Sequence, residues 1–328
     1  MNIHGSRILV TGAGGFIGSE LVRRLDELGA EVRAFLRYTS RAELGLLKFL
    51  PLSTRESLDL VFGDLRDPDA VEKAVEGVDI VFHLGALISI PYSYLHPVET
   101  VQSNVIGTLN VLQACRKYGA KLIHTSTSEV YGTALRVPID EEHPLQGQSP
   151  YSASKIGADK LVESYHRTYD VQAVTVRPFN TYGPGQSARG VIPTIITQAL
   201  VQDEIHLGNL DAKRDFTYVS DTVAGFIKAA QAEDVAGETF NLGYGDQVSI
   251  GELAHLIIEL IGRPVEIVVD QERLRPEKSE VMRLLSDNSK ARELLGWTPQ
   301  VEIREGLART IDWIREHLDQ YRVGTYEK

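Results

Sequence analysis

The chain has 328 residues, 43% of them hydrophobic and 24% charged, with a formal net charge of -11. That composition can fill a full core, and the acidic balance excludes a protein that grips nucleic acid through a basic face. The single cysteine, Cys115, excludes an internal disulfide framework and a cysteine-based zinc site.

MNIHGS runs directly into the apolar RILVTG, which reads as a strand, with no basic-then-apolar leader ahead of it. No apolar run has the length of a membrane-spanning helix, so a soluble, cytoplasmic protein without a membrane partner is expected. FIGSELVRRLDELG places Ile17, Leu21, Leu25 and Leu28 at helical spacing, with Gly29 as a stop. EVRAFLR and LDLVFGDL read as the second and third strands. DPDAVEKAVEGV is a helix with Asp67 or Asp69 as N-cap, and VDIVFHLGA is a fourth strand. Residues 100–119 form a long helix, AKLIHTST a fifth strand, SPYSASKIGADKLVESYHRTY a helix and VQAVTVRPF a strand. This alternation predicts an α/β fold of Rossmann type, a doubly wound parallel sheet with helices on both faces.

After Pro178 the rhythm changes. NTYGPGQSARGVIPT reads as a loop, and RDFTYVSDTVAGFIKAA as a return to the first domain through a helix. FNLGYGDQVSIGELAHLIIELIG reads as a turn and then a helix opened by Ser249. The tail holds a helix ending in ELLGWTP and an amphipathic one over 303–321. The expected organisation is a dinucleotide-binding domain of 1–178 plus roughly 215–242. A smaller C-terminal α/β lobe of 179–214 and 243–328 is interleaved with it.

Between the first strand and helix, VTGAGGFIGSE carries Gly12, Gly15 and Gly18 in the pattern GxxGxxG. Glycines there permit a tight turn and close backbone approach, and the helix N-terminus offers N–H groups to a pyrophosphate. The bland alternative is a plain glycine-rich turn, which the strand-to-helix context disfavours. The second strand ends in Arg37, where readers of NAD usually place an acid. A guanidinium suits a 2′-phosphate, so NADP is preferred to NAD; the alternative is a surface arginine. Asp64 is a candidate for the adenine amino group, or simply a turn aspartate.

YSASK places Tyr151 and Lys155 on one face of a helix. A neighbouring ammonium stabilises phenolate, which makes tyrosine a usable base near neutral pH. The strand end HTSTSEVYG supplies hydroxyls from Thr125 to Ser128 and one carboxylate, Glu129. Hydroxyls at a strand end cost free energy unless something bonds to them. His83 and His124 read as satisfied core residues, without partners at metal-ligand spacing, so no metal is expected.

With these residues in view, the chain resembles the extended short-chain dehydrogenase/reductase family of nucleotide-sugar epimerases and dehydratases. TGAGGFIG, GDL, HLGA, SNVIGTLNVL, STSEVYG, SPYSASK, RPFNTYGP, RDFTYVSD, FNLG and LLGW carry the likeness across essentially the whole length. The resemblance implies a cofactor site of Gly12, Gly15, Phe16, Ile17, Gly18, Arg37, Asp64, Leu65, Leu84, Ala86, Asn104, Tyr151 and Lys155. It implies a catalytic set of Thr127, Ser128, Glu129, Tyr151 and Lys155. It also implies substrate contacts at Ser89, Thr127, Asn180, Arg189, Arg214 and Arg275, and a homodimer.

Glu129 is similar to the C5 base of the 4,6-dehydratases, and epimerases generally lack it. Ser128 stands where dTDP-glucose dehydratases carry an aspartic acid, as in the STSE of GDP-mannose dehydratases. SYLHP, GQSARGVIPTIITQ and LRPEKSEV look most like dehydratases acting on UDP- or GDP-N-acetylglucosamine in nonulosonic acid pathways. The expected activity is therefore a sugar-nucleotide 4,6-dehydratase. A 4-epimerase, a UDP-glucuronate decarboxylase and a non-catalytic dinucleotide-binding regulator are the alternatives.

Overall fold

A computed structural model describes residues 2–324. Seven strands, from β1 at Arg7–Thr11 to β11 at Thr239–Leu242, form one all-parallel sheet in the order β11-β6-β5-β4-β1-β2-β3. Its first six strands are β1 Arg7–Thr11, β2 Glu31–Arg37, β3 Asp59–Gly63, β4 Ile80–His83, β5 Lys121–Thr125 and β6 Ala173–Pro178. The central ones are apolar runs rather than alternating ones, because helices cover both faces.

In the first half the helices are α1 Phe16–Glu27, α2 Leu52–Ser57, α3 Pro68–Val75, α4 Ile90–Leu95, α5 Pro97–Val101, α6 Gly107–Tyr118 and α7 Pro150–Tyr169. Helix α1 buries Leu21, Val22 and Leu25 and ends at Gly29, whose N–H bonds the Asp26 carbonyl. Asp67 caps α3 by accepting from the N–H groups of Asp69 and Ala70. Ser149 opens α7 through a capping box with Ser152, and Pro150 occupies its first turn, which needs no donor. The helix read over 100–119 starts earlier, at Pro97, and contains one turn of π-helix, Gln102–Ile106.

The second half adds β7 Asn180–Tyr182, α8 Val191–Val201, β8 Glu204–Leu207, β9 Lys213–Arg214, β10 Phe216–Tyr218 and α9 Val219–Gln231. Then follow β11 Thr239–Leu242, β12 Val248–Ser249, α10 Ile250–Ile261, β13 Glu266–Val269, α11 Ser289–Leu295 and α12 Ile303–Glu316. Two further stretches depart from expectation. FNLG is the seventh strand of the main sheet, paired with β6, and not a turn. The stretch read as a loop to residue 194 already enters α8. There Ile192, Ile195, Ile196 and Ala199 recur at helical spacing, and Pro193 sits in the first turn, where it breaks no bond.

One apolar cluster packs α1 and α9 on one face of the sheet, and a second packs α3, α6 and α7 on the other. A third joins α8, α10 and α12 in the smaller lobe. Among the described residues no helix is long and apolar enough to cross a membrane. The C-terminal ends of β1 to β6 lie along one edge of the parallel sheet, and the crevice at that edge is where ligands of such sheets bind.

Candidate active site

The turn after β1 is built around backbone contact. Gly12 adopts a φ of +70°, and a Cβ there would stand 2.9 Å from the Gly85 backbone. A Cβ on Gly18 would stand 2.1 Å from the Gly12 carbonyl oxygen. Gly15 caps α1 without a side chain, and the first turn of Phe16, Ile17 and Gly18 holds no acid. The α1 N-terminus therefore faces the crevice with amide donors and no competing anion, and a dinucleotide pyrophosphate fits it. The floor beside it is Leu84, Gly85 and Ala86, after β4. Thr11 ties it down: its hydroxyl accepts from the Gly85 N–H and donates to His83 Nδ1. The other ring nitrogen of His83 bonds Thr108, so this histidine is satisfied.

Asn104 sits in the π-helical turn, 1% exposed. Its amide accepts from the Leu87 N–H at 2.8 Å and donates to the Leu87 carbonyl and the Ser154 hydroxyl, both at 2.9 Å. It thus ties the loop after β4 to α7, between Tyr151 and Lys155. The Leu65 carbonyl accepts from Asn110 Nδ2 at 2.8 Å.

At the far end of the crevice Arg37 closes β2, 65% exposed, with Glu99 at 3.8 Å. Glu99 also faces Arg66 at 3.9 Å and accepts from the Tyr92 hydroxyl at 2.7 Å. Asp64 is bound by Arg66, which holds its carboxyl below the ordinary range. Arg37 and Arg189 both act on the Tyr92 phenol, so Arg189 stands by this charged cluster. Glu99 and Arg66 were not singled out in the sequence, where nothing local marks them; both come into play only through partners on other elements.

Tyr151 and Lys155 lie on the buried stripe of α7 that faces β5. Lys155 Nζ donates to the Thr125 carbonyl at 2.6 Å. Burial pushes Lys155 down to about 8. Burial also pushes the Tyr151 phenol far up, the Thr127 hydroxyl that bonds it works the other way, and the Glu129 carboxylate pushes it further up. Thr127 caps the short turn Ser128–Tyr131 and accepts from the Glu129 N–H. The four hydroxyls divide. Ser126 donates to Asp159 and Ser128 is buried, while buried Thr125 Oγ1 has no partner among the described residues. His124 bonds Asp159 through Nε2 but leaves Nδ1 unpartnered, so its expected satisfaction is only half met.

Across the crevice Arg214, 6% exposed, donates to Glu280 at 3.4 Å and interacts with both Glu129 and Arg275. Arg275 Nη1 and Asn180 Oδ1 are buried without hydrogen-bond partners. A cavity of about 500 Å³ opens beside Arg275 and Glu280, lined also by Gln148, Asn209 and Lys278. Two guanidiniums over one glutamate, with an orphan donor and an orphan acceptor, suit an elongated polyanion carrying hydroxyls. Ser89 serves as N-cap of α4, accepting from the Tyr92 N–H. Among the described residues no group of three or more histidine, cysteine or acidic side chains could hold a metal ion.

The family model described as GDP-mannose 4,6 dehydratase matches residues 9–310. UDP-glucose 4-epimerase of Mycolicibacterium smegmatis is 34% identical, over 94% of this chain and 98% of its own. UDP-glucuronic acid decarboxylase 3 of Arabidopsis thaliana is 35% identical, over 92% and 86%. The structure of a double mutant of DesIV, a dTDP-glucose 4,6-dehydratase from Streptomyces venezuelae with NAD bound, is 31% identical. It superposes with a TM-score of 0.86 over 96% of this chain and 98% of that one. With this match along nearly its whole length, the chain belongs to the extended short-chain dehydrogenase/reductase family of nucleotide-sugar dehydratases, epimerases and decarboxylases.

Proposed function

We propose that the protein is a sugar-nucleotide 4,6-dehydratase acting on UDP- or GDP-N-acetylglucosamine. The observation that carries this reading is the Glu129 carboxylate, which interacts with the Tyr151 phenol on one side and Arg214 on the other. Bound NAD(P) would take a hydride from C4 and return it to C6, and its cationic ring would add to Lys155 in favouring the phenolate. Tyr151 accepts the O4 proton, and Thr127 orients that hydroxyl. The resulting 4-ketone acidifies the C5 proton, which Glu129 removes as hydroxide leaves C6. Ser128 is a weak acid, so the proton that converts the leaving group to water comes from Glu129 or Tyr151. A proton then returns to C5, giving the 4-keto-6-deoxy sugar. Arg214 and Arg275 hold the diphosphate, and Asn180 and Ser89 the remaining polar groups.

Ser128 also favours a second reading. Without an acid at that position the elimination has no dedicated proton donor, and a 4-epimerase needs none.

A panel of UDP-, GDP- and dTDP-sugars, read by mass for loss of water, tests the assignment. The wild type should release water and carry solvent deuterium at C5 when run in deuterated water. Tyr151→Phe should lose about 100- to 10,000-fold in turnover. Glu129→Gln should still reduce the cofactor, seen as dihydronicotinamide absorbance, yet release little water. Dehydration at the wild-type rate in that variant would remove Glu129 from the mechanism. Epimerised sugar without loss of water would favour the second reading.

A further inference from the structure

Tyr151, Lys155 and Asp159 recur every fourth residue along α7, so they share one stripe of the helix. All three are buried, at 7%, 4% and 5% exposure. The stripe runs against β5, and the contacts step along in register. Lys155 reaches the Thr125 carbonyl, and Asp159, one turn deeper, meets the residues on either side of it. Asp159 Oδ2 accepts from Ser126 Oγ at 2.8 Å and from Arg177 at 3.0 and 3.2 Å, while Oδ1 faces His124 Nε2 at 3.2 Å. Arg177 is held in turn by the Tyr131 hydroxyl at 2.9 Å, and that hydroxyl donates to Asn241 Oδ1 at 2.8 Å. A buried carboxylate with this many donors has a fixed place and a fixed charge.

The charges around Lys155 can be followed element by element. On α7 there are Tyr151 and Asp159; on β5, His124, kept neutral by burial; on β4, His83, likewise neutral. Arg177, on β6, bonds Asp159, and Glu129, in the turn after β5, acts on Tyr151. Of these groups Lys155 and Arg177 stand against Asp159 and Glu129, so the set is neutral in charge while Tyr151 keeps its proton. Asp159 opposes the loss of charge that burial imposes on Lys155.

We propose that Asp159 is a positioning residue for proton transfer: anchored by Ser126, His124 and Arg177, it keeps the Lys155 ammonium charged beneath Tyr151. This rests on Tyr151 and Lys155 acting as a pair and not on which sugar-nucleotide reaction follows.

The test needs no substrate. In whole enzyme carrying ¹³C-lysine, the Lys155 Cε resonance is identified by its loss in Lys155→Met and titrated. Asp159→Asn keeps the size of the side chain and removes its charge. The ratio of charged to neutral Lys155 at a fixed pH should then fall about tenfold or more. Asp159→Glu keeps the charge, so the same ratio should stay near that of the wild type. A damaged fold would lower the ratio in both variants. Unchanged Lys155 titration in Asp159→Asn, or an equal fall in Asp159→Glu, would overturn the proposal and leave Asp159 as a packing partner of Arg177. In a turnover assay the rate at pH 6 relative to pH 8 should rise about fivefold or more in Asp159→Asn, where mere loss of structure would lower both equally. An enzyme inert toward every sugar nucleotide would sink the dehydratase reading and leave the titration intact.

Discussion

Lys155 is a cation kept in the interior with one carbonyl as its hydrogen-bond partner, and burial lowers it from 10.5 to about 8. Its folded value lies below its unfolded one, so charging it costs stability below about pH 8, and stability from this site rises between 8 and 10.5. In the mechanism we propose, activity runs the other way, because the phenolate needs the ammonium beside it. Turnover should therefore fall as pH rises through about 8, and a profile flat to pH 10 would exclude Lys155 from the proton relay.

A second expectation concerns Arg37 and Glu99. Arg37→Ala should weaken NADPH far more than NADH. Glu99→Gln, which removes the anion facing both Arg37 and Arg66, should shift the ratio toward NADPH about tenfold, read by titrating dihydronicotinamide fluorescence. Equal effects on both cofactors would make this cluster a surface ion-pair group.

Tyr151 and Lys155 could be read from the sequence because they lie one helical turn apart. Asp159 was legible in principle, as a carboxylate on the same stripe. Its meaning was not, because Ser126, His124 and Arg177 reach it only once β5, α7 and β6 have packed.

At the scale of elements the π-helical turn between α5 and α6 is the least ordinary feature of the crevice. Such turns recur at functional sites, and here it holds Asn104, whose three bonds join the loop after β4 to α7. Asn104→Ala would strand the Leu87 N–H and carbonyl and should cost about 2 kcal/mol in urea unfolding. The same variant should bind dinucleotide more weakly, because the loop beside Ala86 loses its tie. Wild-type values for both would make the turn incidental.

Helix periodicity exposed α1, α3 and α7 because each has a cap and an apolar stripe. It could not expose the π turn, since one extra residue per turn leaves the composition unchanged. Gly and Pro around residue 190 masked α8, although its isoleucines carry the period.

For the whole molecule, apolar side chains are left at the surface in several places, one of them around α4 to α6. Leu95 is 62% exposed, Val98 68%, Val101 44% and Ile106 41%, and all lie on or beside α4 to α6. Leu112 is fully buried, and Leu161 and Tyr165 pack locally against the core of α3, α6 and α7, so those residues cover the sheet. We propose that the face around Val98 and Val101 takes a second copy, in a two-fold pair through these helices. Light scattering at micromolar concentration should return twice the chain mass, and Val98→Glu with Val101→Glu should halve it. A wild type already at the chain mass would refute the pairing. The alternating layout could be read from the sequence because each βα unit is local. The place of FNLG in the sheet could not, because its register is set by β6, with α8 and α9 intervening in the chain.

That late strand has a consequence for how the protein is made. When β6 leaves the ribosome it bears an apolar, unpaired edge, and its neighbour β11 is synthesised only after β7, α8, β8 and α9. Until then the nascent sheet offers a template for pairing with other chains. A fragment ending at Pro178 would keep that edge open permanently. Such a fragment would carry the glycine turn, Tyr151 and Lys155, yet it would be a species prone to aggregate rather than a minimal enzyme.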